Sequence, residues 1–275
     1  MTFNDVVNPA RANTTNAKHG GGVVLTPGVN IDQTIDAGVT KPVSISETKL
    51  TNRFDDTLYY NNTLTGNLEF YSNAEWIVPN GVTQITVKAF GQGGYGQTAT
   101  GGNAGHGGGG GAYAQSTFSV TPGTMYSITL NTGAVGGDGG NTKLRRNGTT
   151  TVLLAEGGKS GANGGAGGNI LNCVGDTVYS GGDGADPSGF GGGGGGASSD
   201  ISTGNYASNG TQEGAAGTGN GASGGNGGAQ FGGNQSNGFP GGTPGGGGGG
   251  GSYDIIGQIN YTGGAGGLGK LTIVW

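Results

Sequence analysis

The sequence predicts a mainly β protein in which an antiparallel, sandwich-like β-scaffold carries a bundle of polyglycine II helices, with almost no α-helix. Three observations lead to this fold class. Glycine makes up 72 of the 275 residues, and all but seven of these glycines follow residue 90. Several runs alternate apolar and polar residues, as half-buried strands do. Elsewhere, single residues recur at every third position with glycine pairs between them.

The first 70 residues differ in composition from the rest. They contain little glycine and mix Asn, Thr, Val and Ile, while TPGVNID and AGVTKP are turn signals. VSISETKL and TLYY are candidate strands. We interpret residues 1–70 as an extended arm or a small β-subdomain with an attachment role, and residues 71–275 as one glycine-rich domain.

Five runs predict the β-scaffold. QITVKAF alternates Ile85, Val87 and Ala89 with more polar neighbours. TPGT is a tight turn between the runs at 112–120 and 125–133. We expect KLTIVW to return to the same sheet, because a strand needs a partner for its backbone hydrogen bonds. The predicted strands lie at about 82–91, 112–120, 125–133, 149–156 and 270–275.

The three-residue repeat predicts how the glycine-rich part folds. The pattern X-G-G-X-G-G-X occurs four times, centred on Asp138, Ala166, Asn226 and Ala265. Polyproline II-type helices have three residues per turn and no internal hydrogen bonds, so each N–H and C=O needs a partner on a neighbouring segment. Two glycines per turn leave faces without Cβ atoms, on which backbones can meet. We therefore expect a polyglycine II bundle, mainly within 157–269.

Such a bundle is stable only as a cooperative array. Ordering a glycine costs roughly 0.5–1 kcal/mol more than ordering alanine. A backbone hydrogen bond contributes about 0.5–1.5 kcal/mol net. An isolated glycine helix would therefore melt, whereas a mutually bonded set attached to a β-scaffold can persist.

Charge and cysteine content exclude several classes of protein. The formal net charge is −5 and the isoelectric point is near 4.8, which argues against nucleic acid or an anionic membrane as a partner. No apolar run is long enough for a spanning helix, and the N-terminal sequence does not have the pattern of a signal peptide. Cys173 is the single cysteine, so an internal disulfide framework is excluded.

Motifs that resemble catalytic or ligand-binding sites lack their required context. GQGGYG at 91–96 follows a strand, but a dinucleotide loop also needs a helix directly after it, and glycines follow instead. GGDGADPSG at 181–189 lacks the large apolar residue and the tandem copies of a calcium-binding repeat. His19 and His106 have no neighbouring ligands at metal or catalytic spacing. We predict no catalytic residues, no metal site and no cofactor, and expect that the protein is not an enzyme.

Aromatic residues between glycine runs are the candidate binding residues. A glycine bundle has no interior space for rings, so these side chains must lie on its outside or in its loops. Exposed, rigid aromatic side chains are typical recognition anchors. The alternative is that they cover bundle edges or pack at a subunit interface. The candidates are Phe190, Tyr206, Phe231, Phe239, Tyr253 and Tyr261.

Three stretches carry a resemblance to a known family. WIVPNGVTQITVKAFGQGGYG, GAYAQSTFSVTPGTMYSITLNTGAVGGDGGNTK and the closing GKLTIVW resemble the glycine-rich domains of bacteriophage tail and fibre proteins, over roughly 70–275. The three-residue repeat is similar to the polyglycine II adhesins at the tips of the long tail fibres of T-even-type phages. In those adhesins, loops between the glycine helices contact the host surface.

The resemblance implies a virion surface protein that is made in the host cytoplasm without a signal peptide. It implies attachment to other virion proteins through the N-terminal region. It also implies binding of a host surface glycan or outer-membrane protein through residues 198–213, 229–240 and 253–261. Homotrimers are common among such appendages.

Two other functions stay open at this stage. The first is a purely structural virion role, as a head fibre, a decoration protein or a fibre-assembly component, without receptor binding. The second is a ligand-binding extracellular module, like the glycine-rich domain of the anaplastic lymphoma kinase family. That domain belongs to secreted, disulfide-bearing chains, whereas this sequence has one cysteine.

Overall fold

The computed structural model describes residues 30–34, 40–46, 63–188, 190–207, 221–228, 230–231 and 234–275. The chain divides into a smaller unit, Met1–Leu68 with Val274–Trp275, and a larger unit, Glu69–Ile273. The expected strand TLYY, at 57–60, lies outside the described residues.

The smaller unit contains a three-stranded antiparallel sheet. Its strands are β1 (Asn30–Thr34), β2 (Thr40–Ser46) and β3 (Thr63–Thr65), in the order β1-β2-β3. β2 contains VSIS of the candidate strand VSISETKL. Gly66 and Trp275 exchange two backbone hydrogen bonds, of 2.8 and 3.0 Å. A Cβ on Gly66 would lie 2.2 Å from the indole of Trp275, so this close approach requires glycine.

The larger unit is built on two antiparallel sheets. The four-stranded sheet has the order β10-β9-β8-β5, and the five-stranded sheet has the order β11-β7-β6-β16-β4. The hairpins β12–β13 and β14–β15 are separate from them. The strands are β4 (Asn67–Phe70), β5 (Ala74–Ile77), β6 (Gln84–Phe90), β7 (Tyr113–Ser119), β8 (Met125–Leu130), β9 (Thr142–Arg146), β10 (Thr150–Ala155), β11 (Thr177–Tyr179), β12 (Gln230–Phe231), β13 (Asn234–Gln235), β14 (Tyr253–Asp254), β15 (Ile259–Asn260) and β16 (Lys270–Val274). Helical structure among the described residues is confined to one 3-10 turn, Ile170–Asn172.

The two sheets pack face to face, as the predicted mainly β, antiparallel fold requires. Alternation in β6 buries Ile85, Val87 and Ala89, as the sequence indicates. Tyr126 of β8 bridges the sheets, because its ring centroid lies 6.1 Å from those of both Trp76 and Phe118. β9 is absent from the sequence-based prediction, because TKLRR is mostly polar and buries only two side chains.

The strand connections contain extended glycine-rich segments. Apart from Gly164 and Gly245, their glycines have no positive φ, and the segments are neither helices nor strands, as expected of polyglycine II. We call the segments g1 (91–99), g2 (105–112), g3 (137–141), g4 (156–159), g5 (163–169), g6 (180–186), g7 (191–198), g8 (204–207), g9 (221–228), g10 (236–242), g11 (245–252) and g12 (261–268).

Hydrogen bonding in g1 shows the threefold geometry directly. Successive N–H groups turn in sequence toward three different neighbours. Gly91, Gly94 and Gln97 donate to g2, Gln92 and Tyr95 donate to g3, and Gly93, Gly96 and Ala99 donate to g12. A helix with three residues per turn produces this period, because every third N–H points the same way. The motif GQGGYG is thus the start of a polyglycine II helix.

Segment g2 lies at the centre of a closed ring of six segments. It is bonded to g1, g4, g5, g6, g7 and g11, and each of these is bonded to the next around the ring. Segment g11 has its own ring of six, made of g1, g2, g7, g9, g10 and g12. The bundle is therefore a hexagonal lattice held by backbone hydrogen bonds, and its central segment comes from the β6–β7 connection, outside 157–269.

Position in the lattice explains which segments carry side chains. Segments g2, g7 and g11 contain the uninterrupted and buried glycine runs 107–111, 191–196 and 245–251. Segments g5, g9 and g12 lie at the edge, and there the X residues Ala166, Asn226 and Ala265 are exposed. The repeat centred on Asp138 is partly different, because Gly136 has a φ of +74° and residues 135–137 form the turn that leads into g3.

We predict that amide hydrogen exchange follows this three-residue period at the bundle edge. In g12, Gly264 and Gly267 donate to Gly249 and Gly246 at 2.7 and 2.6 Å. The N–H of the exposed Ala265 has no acceptor among the described residues. Exchange at Gly264 and Gly267 should therefore be slower than at Ala265 by at least about tenfold. Equal rates at all three amides, measured by NMR, would contradict the polyglycine II assignment.

Candidate functional site at the distal end of the bundle

Many consecutive glycine segments run in opposite directions, which places several connections at one end. Segment g1 leaves the scaffold after Phe90, and g2 returns to it at Tyr113. Gln97, Gly105 and Gly251 lie at one level, since Gly105 donates to Gly251 and Gly251 donates to Gln97. The g1–g2, g4–g5, g6–g7, g9–g10 and g11–g12 connections all lie at this end. We call it the distal end, because it is the end away from the sheets.

His106, at the start of g2, lies beside the start of g5 and the end of g6. Its Nδ1 lies 2.9 Å from a carboxylate oxygen of Asp186, and it is within 3.2 and 3.3 Å of the backbone nitrogens of Asn163 and Gly164. When Nδ1 carries a proton it donates to Asp186, and when it does not it accepts from these N–H groups, so in either form the ring connects g2 to a neighbouring segment.

The β14–β15 hairpin projects from the distal end between g11 and g12. Tyr253 pairs with Asn260 and Asp254 with Ile259, which leaves a four-residue tip. The Asp254 carboxylate accepts a hydrogen bond of 2.8 Å from the N–H of Ile256. Gly257 packs so closely on the same carboxylate that a Cβ would lie 2.6 Å from it. These contacts hold the tip in one conformation before any partner binds.

Two serines, of which Ser252 is buried, join the two distal hairpins at their bases. Ser252 Oγ donates to the carbonyl of Ser236 and accepts from its N–H, both at 3.0 Å, while Ser252 is fully buried. Tyr261 N–H donates to the carbonyl of Ser252, which closes the base of β14–β15. The Tyr253 ring approaches Gly102 in the turn between g1 and g2. The hairpins and this turn therefore form one connected surface.

The predicted aromatic residues separate into two sets. Phe190, Tyr253 and Tyr261 are half-buried and lie at or near the distal end, and the backbone of Phe231 lies in β12 of a distal hairpin. Two others lie on the flanks. Tyr206, in g8, is 75% exposed, and Phe239, in g10, is 55% exposed. The structure thus does not bring all six candidates together.

Sequence reasoning misses the most exposed apolar residues of the distal end. Ile255 is 71% exposed and Ile256 is 95% exposed, and Ile259 beside them is also exposed. Two adjacent isoleucines between glycine runs are a readable signal, since a bundle without an apolar core has no place to bury them. We call Ile255, Ile256 and Ile259 the isoleucine tip.

Cationic side chains are absent from the isoleucine tip and its neighbours. Residues 253–261 contain no Lys or Arg, nor do 99–105 or 186–191. Lys88, Lys159 and Lys270 each pair with a carboxylate, at 3.4, 3.0 and 2.8 Å. Lys143, Arg145 and Arg146, which have no ion pair among the described residues, lie on β9 in the scaffold. Asp186 and Asp254 contribute carboxylates to this part of the distal surface.

Near the scaffold, the Glu156 side chain is buried, and both of its carboxylate oxygens have partners. It accepts hydrogen bonds from Asn169 N–H at 2.7 Å and from the Asn172 amide at 3.0 Å, and it pairs with Lys159. Burial acts to raise the pKa of Glu156, but these donors together lower it below its usual value. Burial raises the pKa of the nearby Cys173 thiol. Both residues connect the start of g4 to the end of g5.

Described residues contain no group of three or more His, Cys, Asp and Glu side chains arranged to hold a metal ion. Within the same part of the chain, no helix is long and apolar enough to cross a membrane. The arrangement at the distal end offers contact surface: an apolar tip, half-buried aromatic rings and backbone-fixed turns.

An antiparallel β-scaffold whose connections form a polyglycine II lattice, with its loops gathered at one end, defines a glycine-rich β domain. A family model described as a glycine-rich domain matches residues 69–275, and the chain belongs to this family. A search of curated proteins finds no match.

Proposed function

We propose that this chain is a surface protein of a bacteriophage particle that binds the host cell surface through the distal end of its glycine bundle. The observation that carries this proposal is the distal surface, where turns fixed by backbone hydrogen bonds surround the β14–β15 hairpin and its exposed apolar side chains. The resemblance of the scaffold motifs to phage tail and fibre domains supports the virion assignment. In this proposal the chain is a binding protein and not an enzyme, and it attaches to the particle through residues 1–70.

Physical chemistry favours the distal end as the binding surface. Backbone hydrogen bonds of the lattice fix both ends of the g1–g2, g4–g5 and g11–g12 connections, so ordering these loops upon binding costs little conformational entropy. Exposed isoleucines without a partner are unfavourable in water, and their burial in a complex is a source of affinity. Backbone-held helices also allow the loops to differ in sequence without loss of the supporting structure.

Adsorption to cells tests this proposal. Fluorescently labelled protein should bind saturably to some strains of a bacterial panel. A Tyr253→Ala/Tyr261→Ala variant should bind at least about tenfold more weakly, because each truncation removes ring contacts at the distal surface. The matched control is Tyr206→Ala/Phe239→Ala, which removes two aromatic rings from the flanks and should retain binding.

A structural virion role is the second candidate, and the exposed flank residues Tyr206 and Phe239 favour it. Exposed rings on the sides of the glycine segments, rather than in the distal loops, suit contacts with other particle subunits. In that case the protein would bind none of the strains, and the Tyr206→Ala/Phe239→Ala variant would impair particle assembly. The same adsorption and assembly measurements thus separate the two functions.

A further inference from the structure

The isoleucine tip defines the chemical class of the partner, and this inference rests on the proposed function. We propose that the tip inserts into an apolar pocket of a host surface protein, and that glycans and phosphate groups are not its ligand. Three properties of the tip lead to this conclusion: its side chains, its charge and its fixed shape.

The side chains of the tip suit an apolar pocket. Ile256 lies almost fully in water and Ile255 is largely exposed, so their transfer into a pocket removes a large apolar area from solvent. Branched aliphatic side chains have no aromatic face on which a sugar ring could stack and no polar group to bond its hydroxyls. The aromatic ring of the same hairpin, Tyr253, is half-buried and lies toward Gly102 at the base of the tip. Proteins, in contrast, provide concave apolar sites that accept such side chains.

Charge excludes an anionic ligand at this surface. Recognition of phosphate or sulfate requires Lys, Arg or a set of converging N–H groups. The hairpin has no cation, and its one charged residue, Asp254, would repel an anion. The Asp254 carboxylate already accepts from the N–H of Ile256, so that N–H does not point toward a ligand.

The fixed shape of the hairpin supports insertion as a preformed unit. Four contacts restrain it: the Tyr253–Asn260 and Asp254–Ile259 strand pairs, the Asp254–Ile256 hydrogen bond and the hydrogen bonds between Ser236 and the buried Ser252. Gln258 has a φ of +53°, which closes the turn. A preformed tip binds without the entropic cost of ordering a loop.

The test compares labelled full-length protein with an Ile255→Ser/Ile256→Ser variant on a strain that binds the native protein. The variant should bind about 100-fold more weakly, since two isoleucine side chains lose their burial. Leu171 and Ile201, which are exposed apolar residues near the scaffold end of the bundle, provide the control Leu171→Ser/Ile201→Ser, which should change binding less than twofold. Unchanged thermal unfolding of both variants verifies that the fold is intact.

Cell treatments identify the class of partner. Proteinase K digestion of the cell surface should abolish binding, whereas periodate oxidation of glycans should leave it unchanged. Raising NaCl from 0.05 to 0.5 M should weaken binding less than threefold, because no cation of the hairpin takes part. Loss of binding after periodate alone, or full binding by Ile255→Ser/Ile256→Ser, would overturn the inference and leave the proposed function standing.

Two further outcomes are decisive. If the native protein binds no strain of the panel, the proposed function fails and this inference fails with it. If light scattering shows that the native protein self-associates and that Ile255→Ser/Ile256→Ser is monomeric, the tip is a contact between copies of the chain. The inference would then be wrong.

Discussion

Replacing Gly110 with alanine should destabilise the protein by at least about 3 kcal/mol, the upper range for overpacking of an interior. Gly110 lies in g2, the centre of the lattice. A Cβ there would lie 2.1 Å from the carbonyl oxygen of Gly196 and 2.5 Å from its carbon. Backbone atoms cannot rotate away as a side chain can, so the neighbouring segment must shift. That shift would weaken the bonds of Gly110 to Gly182 and Gly168, both of 2.8 Å.

The matched control is Gly161→Ala. Gly161 is in the g4–g5 connection, its φ is not positive, and no atom lies within 4 Å of the position of its Cβ. Its replacement should be neutral or should stabilise the protein by about 0.4–1 kcal/mol, because alanine restricts the unfolded chain. Urea unfolding of both variants measures the difference. If Gly110→Ala and Gly161→Ala had equal stabilities, the tight backbone packing of the lattice would be refuted.

The second large effect is expected at Glu156. Replacing it with alanine would leave Asn169 N–H, the Asn172 amide and the Lys159 ammonium without their shared acceptor. Loss of a buried charged acceptor with several donors typically costs about 3 kcal/mol. Glu75→Ala is the control, since Glu75 is an exposed carboxylate on β5. Chemical unfolding at pH 7 should show a large loss for Glu156→Ala and almost none for Glu75→Ala.

Glu156 should also make stability depend on pH. Its pKa is lower in the folded protein than the ordinary value of 4.5, so the unfolded chain binds the proton more readily. The stabilisation is therefore complete above about pH 4.5, and it is lost as the pH falls through the lower folded pKa. In Glu156→Gln this loss should disappear. A native protein and a Glu156→Gln variant with parallel stability curves from pH 6 to 3 would contradict this assignment.

Local patterns made the scaffold and the type of bundle predictable. Alternation around Ile85 and Val87 indicates a half-buried strand, because the side-chain period of a strand is two. The X-G-G repeat around Ala166 and Ala265 indicates a threefold helix in which one residue per turn faces away from the neighbouring backbones. β9 escapes prediction because its neighbours on both sides bury it, and TKLRR by itself has little apolar character.

The candidate site was predictable only in part. The sequence identifies Tyr253 and Tyr261, which lie in and beside the distal hairpin, but it also selects Tyr206 and Phe239, which lie on the flanks. Aromatic residues between glycine runs look alike in sequence, whereas their height along the bundle depends on the register of each segment. The isoleucine tip is overlooked because aliphatic residues normally indicate a core, and this bundle has no apolar core to receive them.

By itself, the sequence determined the mainly β scaffold, the threefold glycine helices and the dependence on backbone bonds, since each follows from residue period and from the absence of Cβ atoms. Only the tertiary structure decided that g2 and g11 are central, that the loops meet at one end and that two isoleucines form the exposed tip. The physical reason is that a polyglycine II helix makes no hydrogen bonds within itself. Every partner is non-local, so the lattice alone assigns each segment its neighbours and each loop its position.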